Sequence, residues 1–229
     1  KNTNDLVLAT HGRGIIIIDD ISPLREINQE SLSEKLYFFE KDNYTMSDQS
    51  GFADDFGRET QFFGANSSLN ARIKYLLPKR HTFGKMTMEV FDESGKSIVK
   101  LSPGKSKGMN FVTWNYRMSQ PKVAKGKTLA RGGLTSPRVK EGRYNIVINK
   151  GRDSFSKSIY VSDDPSTNLD SNEKKLKYET TMKLYNLSEE LAYVVYTIDE
   201  MLSSDTIKKG VKNKLQTIKE SMVITTGDN

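Results

Sequence analysis

The sequence predicts a mainly β chain with an α-helical C-terminal part, in which an all-β body over 67–163 precedes a helical hairpin over 164–229. Three observations predict it. Short runs between Ala71 and Val161 alternate apolar and polar residues, the period of a half-buried strand. Turn residues, glycine among them, punctuate these runs. Beyond Leu184 the apolar residues fall at spacings of three and four, the stripe of an amphipathic helix.

The first element is a hairpin over 1–20. Leu6–Thr10 reads as one strand, His11-Gly12-Arg13-Gly14 as the turn, and the four consecutive isoleucines Ile15–Ile18 as the return. A run with no alternation implies a strand covered on both faces. Nothing else in the chain is an obvious cover, so the hairpin is expected to be the edge of a larger protein. Gly12 and Gly14 lie between two strands, with no helix start to hold an anion, and are expected to be structural turn glycines.

Residues 21–66 read as a connector. Ser22 before Pro23 has the form of an N-cap with proline at the first helical position, and Ser22–Leu32 holds a short helix. After Tyr37-Phe38-Phe39 the periodicity disappears, with scattered aromatics at Phe52, Phe56 and Phe62-Phe63. A connector of this length is unusual inside one compact domain, so a boundary is expected near residue 66.

Strands are expected at Ala71–Leu77, Lys85–Asp92, Ser97–Leu101, Asn110–Tyr116, Gly142–Asn149 and Ser154–Val161. In "MTMEVFDESGKSIVKL" Met86, Met88 and Val90 alternate, Asp92-Glu93-Ser94-Gly95 turns, and Ile98 and Leu101 return. "GRYNIVINKGRDSFSKSIYV" repeats the form through Tyr144, Ile146 and Ile148, with Gly151 at the turn. About seven short strands over about 95 residues match an immunoglobulin- or fibronectin-like β-sandwich. Trp114, the single tryptophan, lies mid-strand and is expected to be a structural core residue. A basic loop separates Arg117 from Val139.

Two helices close the chain. Leu184, Leu187, Leu191, Val194, Ile198 and Met201 mark one helix face. "SSDT" breaks it, and Ile207, Val211, Leu215, Ile218 and Met222 mark a second. A short turn makes the pair an αα-hairpin, and its apolar stripes call for a third packed element.

Composition narrows the function. Hydrophobic content is 35%, which favours small domains joined by polar connectors over one large core. The absence of cysteine removes disulfides, thiolate catalysis and cysteine-based metal sites. No apolar run approaches the roughly 20 residues of a membrane span. The net charge of +6 is uneven: residues 72–157 hold 20 Lys and Arg against 5 Asp and Glu. A basic middle suits a solvated sheet surface or a polyanion. The basic loop lacks interleaved aromatics for base stacking, so no specific nucleic-acid partner is expected.

Catalytic, cofactor and metal sites are not expected. His11 and His81, the only histidines, lie 70 residues apart. Asp19-Asp20 and Asp54-Asp55 lack the alternating oxygen spacing of a calcium loop, and Asp163-Asp164-Pro165 reads as strand termination. The β body holds too few acids to set two carboxylates across a cleft for glycoside hydrolysis. No nucleophile elbow is present. Tyr75, Tyr116 and Tyr144 are the candidate ligand contacts if one face of the sandwich stacks a glycan, although each also fits core packing.

The opening "DLVLATHGRGIIIIDDISPLRE" resembles the closing blade of bacterial β-propellers with neuraminidase-type (Asp-box) repeats, the sortilin-like propellers of the glycosyl-hydrolase type. "FFGANSSLNARIKYLL" is similar to the family's entry into its C-terminal sandwich, with Ser67-Ser68 in place of the usual proline pair. "GMNFVTWNYR", "PRVKEGRYNIVI" and "VITTGDN" resemble middle strands, late strands and the end of the second helix. The resemblance implies that residues 1–20 are the closing hairpin of a propeller whose other blades cover the isoleucines. It also implies a periplasmic, secreted or cell-surface protein, and a non-catalytic accessory role for this chain. The Asp-box pattern Ser-x-Asp-x-Gly-x-x-Trp is absent, so no propeller active-site residue carries over. The rival reading is a carbohydrate- or polyanion-binding module of a glycoside hydrolase. Without a propeller, the hairpin is expected to fold back on the sandwich or helices, or to pair with a second copy in a dimer.

Overall fold

The computed structural model describes residues 4–12, 14–18, 20–46, 70–124, 136–165 and 170–223. The chain is a mixture of strand and helix with a helical C-terminal part. It divides into two compact units, Lys1–Tyr116 with Glu141–Thr167 and Arg117–Lys140 with Asn168–Asn229.

The first unit opens with β1 (Leu6–Thr10) and β2 (Gly14–Ile18), an antiparallel ribbon in register from Leu6↔Ile18 to Thr10↔Gly14. These two strands form a sheet of their own. Helices α1 (Ser22–Glu26) and α2 (Gln29–Ser33) follow. The single helix expected over Ser22–Leu32 is thus two. The break at Asn28 has a local cause: its side chain accepts from Ser31 N–H at 2.9 Å, while its own N–H donates to Ser31 Oγ at 2.9 Å. This reciprocal box starts a new helix and ends the old one. The cap of α1 falls on Ile21, one residue earlier than expected, with no side-chain bond.

Two open sheets make up the rest of this unit. One contains β3 (Tyr37–Phe38), β5 (Ala71–Leu77) and β8 (Gly108–Trp114) in the order β3-β5-β8. The other has the order β4-β10-β9-β6-β7, from β4 (Asn43–Thr45), β6 (Met86–Asp92), β7 (Ser97–Leu101), β9 (Gly142–Lys150) and β10 (Asp153–Ser162). Neighbours are antiparallel except β4, which runs parallel to β10 with Val161 opposite Tyr44. Where an extended connector with one short helix was expected over 21–66, the described part supplies two helices and an edge strand to each sheet. Residues 47–66 lie outside the described residues. Apolar residues of alternating register, such as Ile73 on β5, Met88 and Val90 on β6, and Ile146 and Ile148 on β9, are buried. Trp114 and Tyr144 join the two sheets, with ring centroids 5.6 Å apart at 67°.

The second unit holds α3 (Ser171–Ser203), α4 (Lys209–Met222) and the described parts of 117–140. Asp170 caps α3, accepting from Asn172 and Glu173 N–H at 2.7 and 2.8 Å, and Glu173 closes the box by accepting from Asp170 N–H. From Leu184 to Ser203, α3 carries Glu189, Glu190, Asp199 and Glu200 and no basic residue, whereas α4 carries four lysines and one glutamate. Asp199 and Lys219 bridge the two helices at 2.6 Å. The stripe expected to form the buried face is mostly exposed: Leu184, Leu187, Leu191, Val194 and Met201 face solvent, and Val195 and Ile198 are buried. The covered face of α3 therefore runs through Tyr185, Ala192, Val195 and Ile198. Of the aliphatic row only Ile198 reaches the covered side, beside Tyr185, Ala192 and Val195.

Candidate functional site

The three candidate ligand tyrosines are buried. Tyr75 is wholly inaccessible, and its Oη donates to Gly104 O at 2.6 Å. Tyr116 Oη donates to Thr45 O at 3.3 Å, and Tyr144 packs edge-on against Trp114. Of the two roles the sequence left open for them, glycan contact and core packing, their burial matches core packing. Their alternation with polar neighbours selects a shared face, and that face is the interior one. Burial pushes the Tyr75 and Tyr116 hydroxyls up to about 12 and raises Tyr44 further. Trp114 lies among them, 1% exposed.

No group of three or more His, Cys, Asp or Glu side chains among the described residues is placed to hold a metal ion. Asp54-Asp55 lies outside the described residues.

What the first unit does present is the β1–β2 ribbon. Leu6, Leu8, Ile16 and Ile18 lie on one face, and Val7, Ala9, Ile15 and Ile17 on the other. Both faces are exposed, with Ile15 at 71% and Leu6 at 36%. Of the two outcomes expected, a fold-back or pairing with a second copy, the exposure of both faces shows no fold-back onto the sandwich among the described residues. Tight turning explains why the ribbon forms at all: Gly12 and Gly14 take φ of +85° and +77°, the left-handed region that glycine tolerates.

The neck is built from polar bonds. Asn4 and Asp20 both have positive φ, at 56° and 54°. Ile21 N–H donates to Asn4 O at 2.8 Å, and Asp20 N–H donates to Asp5 Oδ1 at 3.0 Å. Lys74 Nζ of β5 donates to Asp20 Oδ2 at 2.7 Å. The ribbon is thus anchored at its base and uncovered along its length.

The second unit contains a groove of about 830 Å³ beside α3, lined by Lys122, Val123, Glu189, Tyr193, Tyr196 and Glu200 among others. Glu189, Tyr193, Tyr196 and Glu200 fall at i, i+4, i+7 and i+11, one helical face. Lys122 N–H donates to Glu189 Oε1 at 3.3 Å and closes one side. Sequence reading passed over this row because it contains no aliphatic stripe; its spacing was the available signal.

No family model matches the chain, and no curated protein matches it. Among solved structures, trypsin-activated alpha-2-macroglobulin from Escherichia coli is similar at 13% identity and a TM-score of 0.31. The match covers 70% of this chain and 9% of that one.

Proposed function

We propose that this chain is a non-catalytic C-terminal region of a larger bacterial β-propeller protein of the sortilin-like, neuraminidase-repeat type. In this reading β1–β2 adds to propeller sheets, and the two-sheet body is an immunoglobulin-like sandwich that supports them. The observation that carries it is the ribbon with two apolar faces, both exposed among the described residues. Burying each of its large aliphatic side chains would contribute about 1.5–3 kcal/mol, so seating it in a sheet is strongly favoured. The resemblance of Asp5–Glu26 to a closing blade supplies the kind of sheet. The strand division supports the sandwich: β3-β5-β8 against β7-β6-β9-β10 has the arrangement of strands A-B-E against C′-C-F-G. The same resemblance gives a periplasmic or secreted location.

The test compares amide exchange in this chain with that in the product of its complete reading frame. Leu6–Ile18 should exchange rapidly here and be protected in the longer protein. Equal exchange in both would overturn the proposal.

A further inference from the structure

Three connections meet at one end of the two-sheet body: the β5–β6 loop over 78–85, the β7–β8 loop over 102–107, and the β9–β10 turn at 151–152 together with Lys150, the last residue of β9, from which it leaves. They are laced together. His81 N–H donates to Lys105 O at 3.0 Å, Lys105 Nζ donates to Gly84 O at 3.2 Å, and Gly151 N–H donates to Lys85 O at 3.3 Å. The register pairs Leu77↔Gly108 and Met86↔Lys150 fix the strand ends beneath them.

These three segments carry Lys79, Arg80, Lys85, Lys105, Lys107, Lys150 and Arg152 and not one carboxylate. Asp153, the next residue along, is taken by Lys35 at 2.8 Å. Cations without interspersed acids sum to a positive field over this end. From the middle of the β5–β6 loop stands Phe83, 87% exposed and the most exposed large hydrophobic side chain among the described residues. Its neighbour Gly84 holds φ at +88° and sits against the imidazole of His81, whose Nε2 is buried without a hydrogen-bond partner.

A cationic ring around an apolar tip fits a surface that is anionic outside and apolar just beneath. A bilayer with anionic headgroups has both properties, whereas a free polyanion has only the first. Aromatic side chains settle at the headgroup boundary, and lysines and arginines are drawn to the negative surface potential. We infer that this loop end is a docking surface for an anionic lipid membrane, with Phe83 entering the headgroup boundary and Lys79, Arg80, Lys105 and Lys107 lying on lipid phosphates. This inference stands apart from the proposed propeller role.

The full chain should co-sediment with vesicles of phosphatidylcholine mixed with phosphatidylglycerol and not with vesicles of phosphatidylcholine alone. High salt should release it, because exposed charges are screened within a few ångströms at molar ionic strength. Phe83→Ser should weaken binding roughly tenfold, the loss of one buried aromatic contact. Lys79→Glu with Arg80→Glu should abolish it. All these side chains are exposed, so the melting temperature of each variant should match that of the parent. Indifference of the parent to anionic vesicles would overturn the inference. So would full binding by Phe83→Ser, which would place any membrane contact elsewhere, the apolar ribbon included. Binding to heparin or DNA without binding to vesicles would show a free-polyanion site instead.

Discussion

Asp20, at the base of the N-terminal ribbon, and Lys74, in the middle of β5, form an ion pair at 2.7 Å across 54 residues of sequence. Partial burial works to raise the Asp20 pKa, but hydrogen bonds from Lys74 and Ser22 and the ammonium charge outweigh it, so the pKa lies below the ordinary value. A depressed folded pKa contributes stability above the unfolded value, and that contribution is lost as pH falls through the folded one. The neck should therefore loosen below about pH 4. Asp20→Asn keeps a residue that tolerates positive φ and removes the charge. At neutral pH the Ile21 amide should exchange faster in this variant, and the difference should vanish in acid. Identical exchange at neutral pH would show that the pair does not hold the neck.

Trp114 lies between Tyr116 and Tyr144, at 5.5 and 5.6 Å. Truncating a large core aromatic costs about 3–5 kcal/mol. Trp114→Ala should lower stability by that amount in denaturant titration, and the parent should show blue-shifted emission resistant to iodide. Emission resembling free indole in water would contradict the buried position.

Tyr44, Tyr75 and Tyr116 carry the largest upward shifts among the described tyrosines and should titrate late. Burial holds Tyr75 and Tyr116 up to about 12 and Tyr44 higher still. Raised folded pKa values contribute stability that is complete below the unfolded value near 10 and is lost as pH climbs toward the folded one. Absorbance at the tyrosinate band should rise in two stages, with unfolding accompanying the second. A single stage with native circular dichroism throughout would refute the assignment.

Gly104 has no room for a side chain. A Cβ there would lie 2.5 Å from Asn110 Oδ1. Asn110 cannot yield freely, because its amide donates to Ser106 O at 2.8 Å and to Gly108 O at 3.0 Å. Gly104→Ala should destabilise by about 1–3 kcal/mol, the usual cost of overpacking. Adding Asn110→Ala should relieve part of this, a coupling that a double-mutant cycle reads directly. A stable Gly104→Ala variant would show that the loop can move aside.

The sequence by itself determined the local periods. Alternation placed β5 and β7 at the bounds they have, and the change to helical spacing placed α3 and α4 on either side of the Ser204–Lys208 break. These features are legible because a strand or helix writes its own repeat into contiguous residues. β3 and β4 were not legible. With two and three residues they carry no period, and they exist because Phe38 finds Tyr75 and Tyr44 finds Val161 on edges already formed. Tertiary structure also decided which faces are covered. Alternation says that Tyr75 shares a side with Ile73, and heptad-like spacing says that Leu184 shares a side with Leu191. Neither says whether a partner lies there. For the tyrosines the facing sheet does, and they became core. For both faces of the ribbon, and for the aliphatic row of α3 apart from Ile198, the described residues leave the side chains exposed, because burial depends on what packs opposite and not on the order of residues along one element.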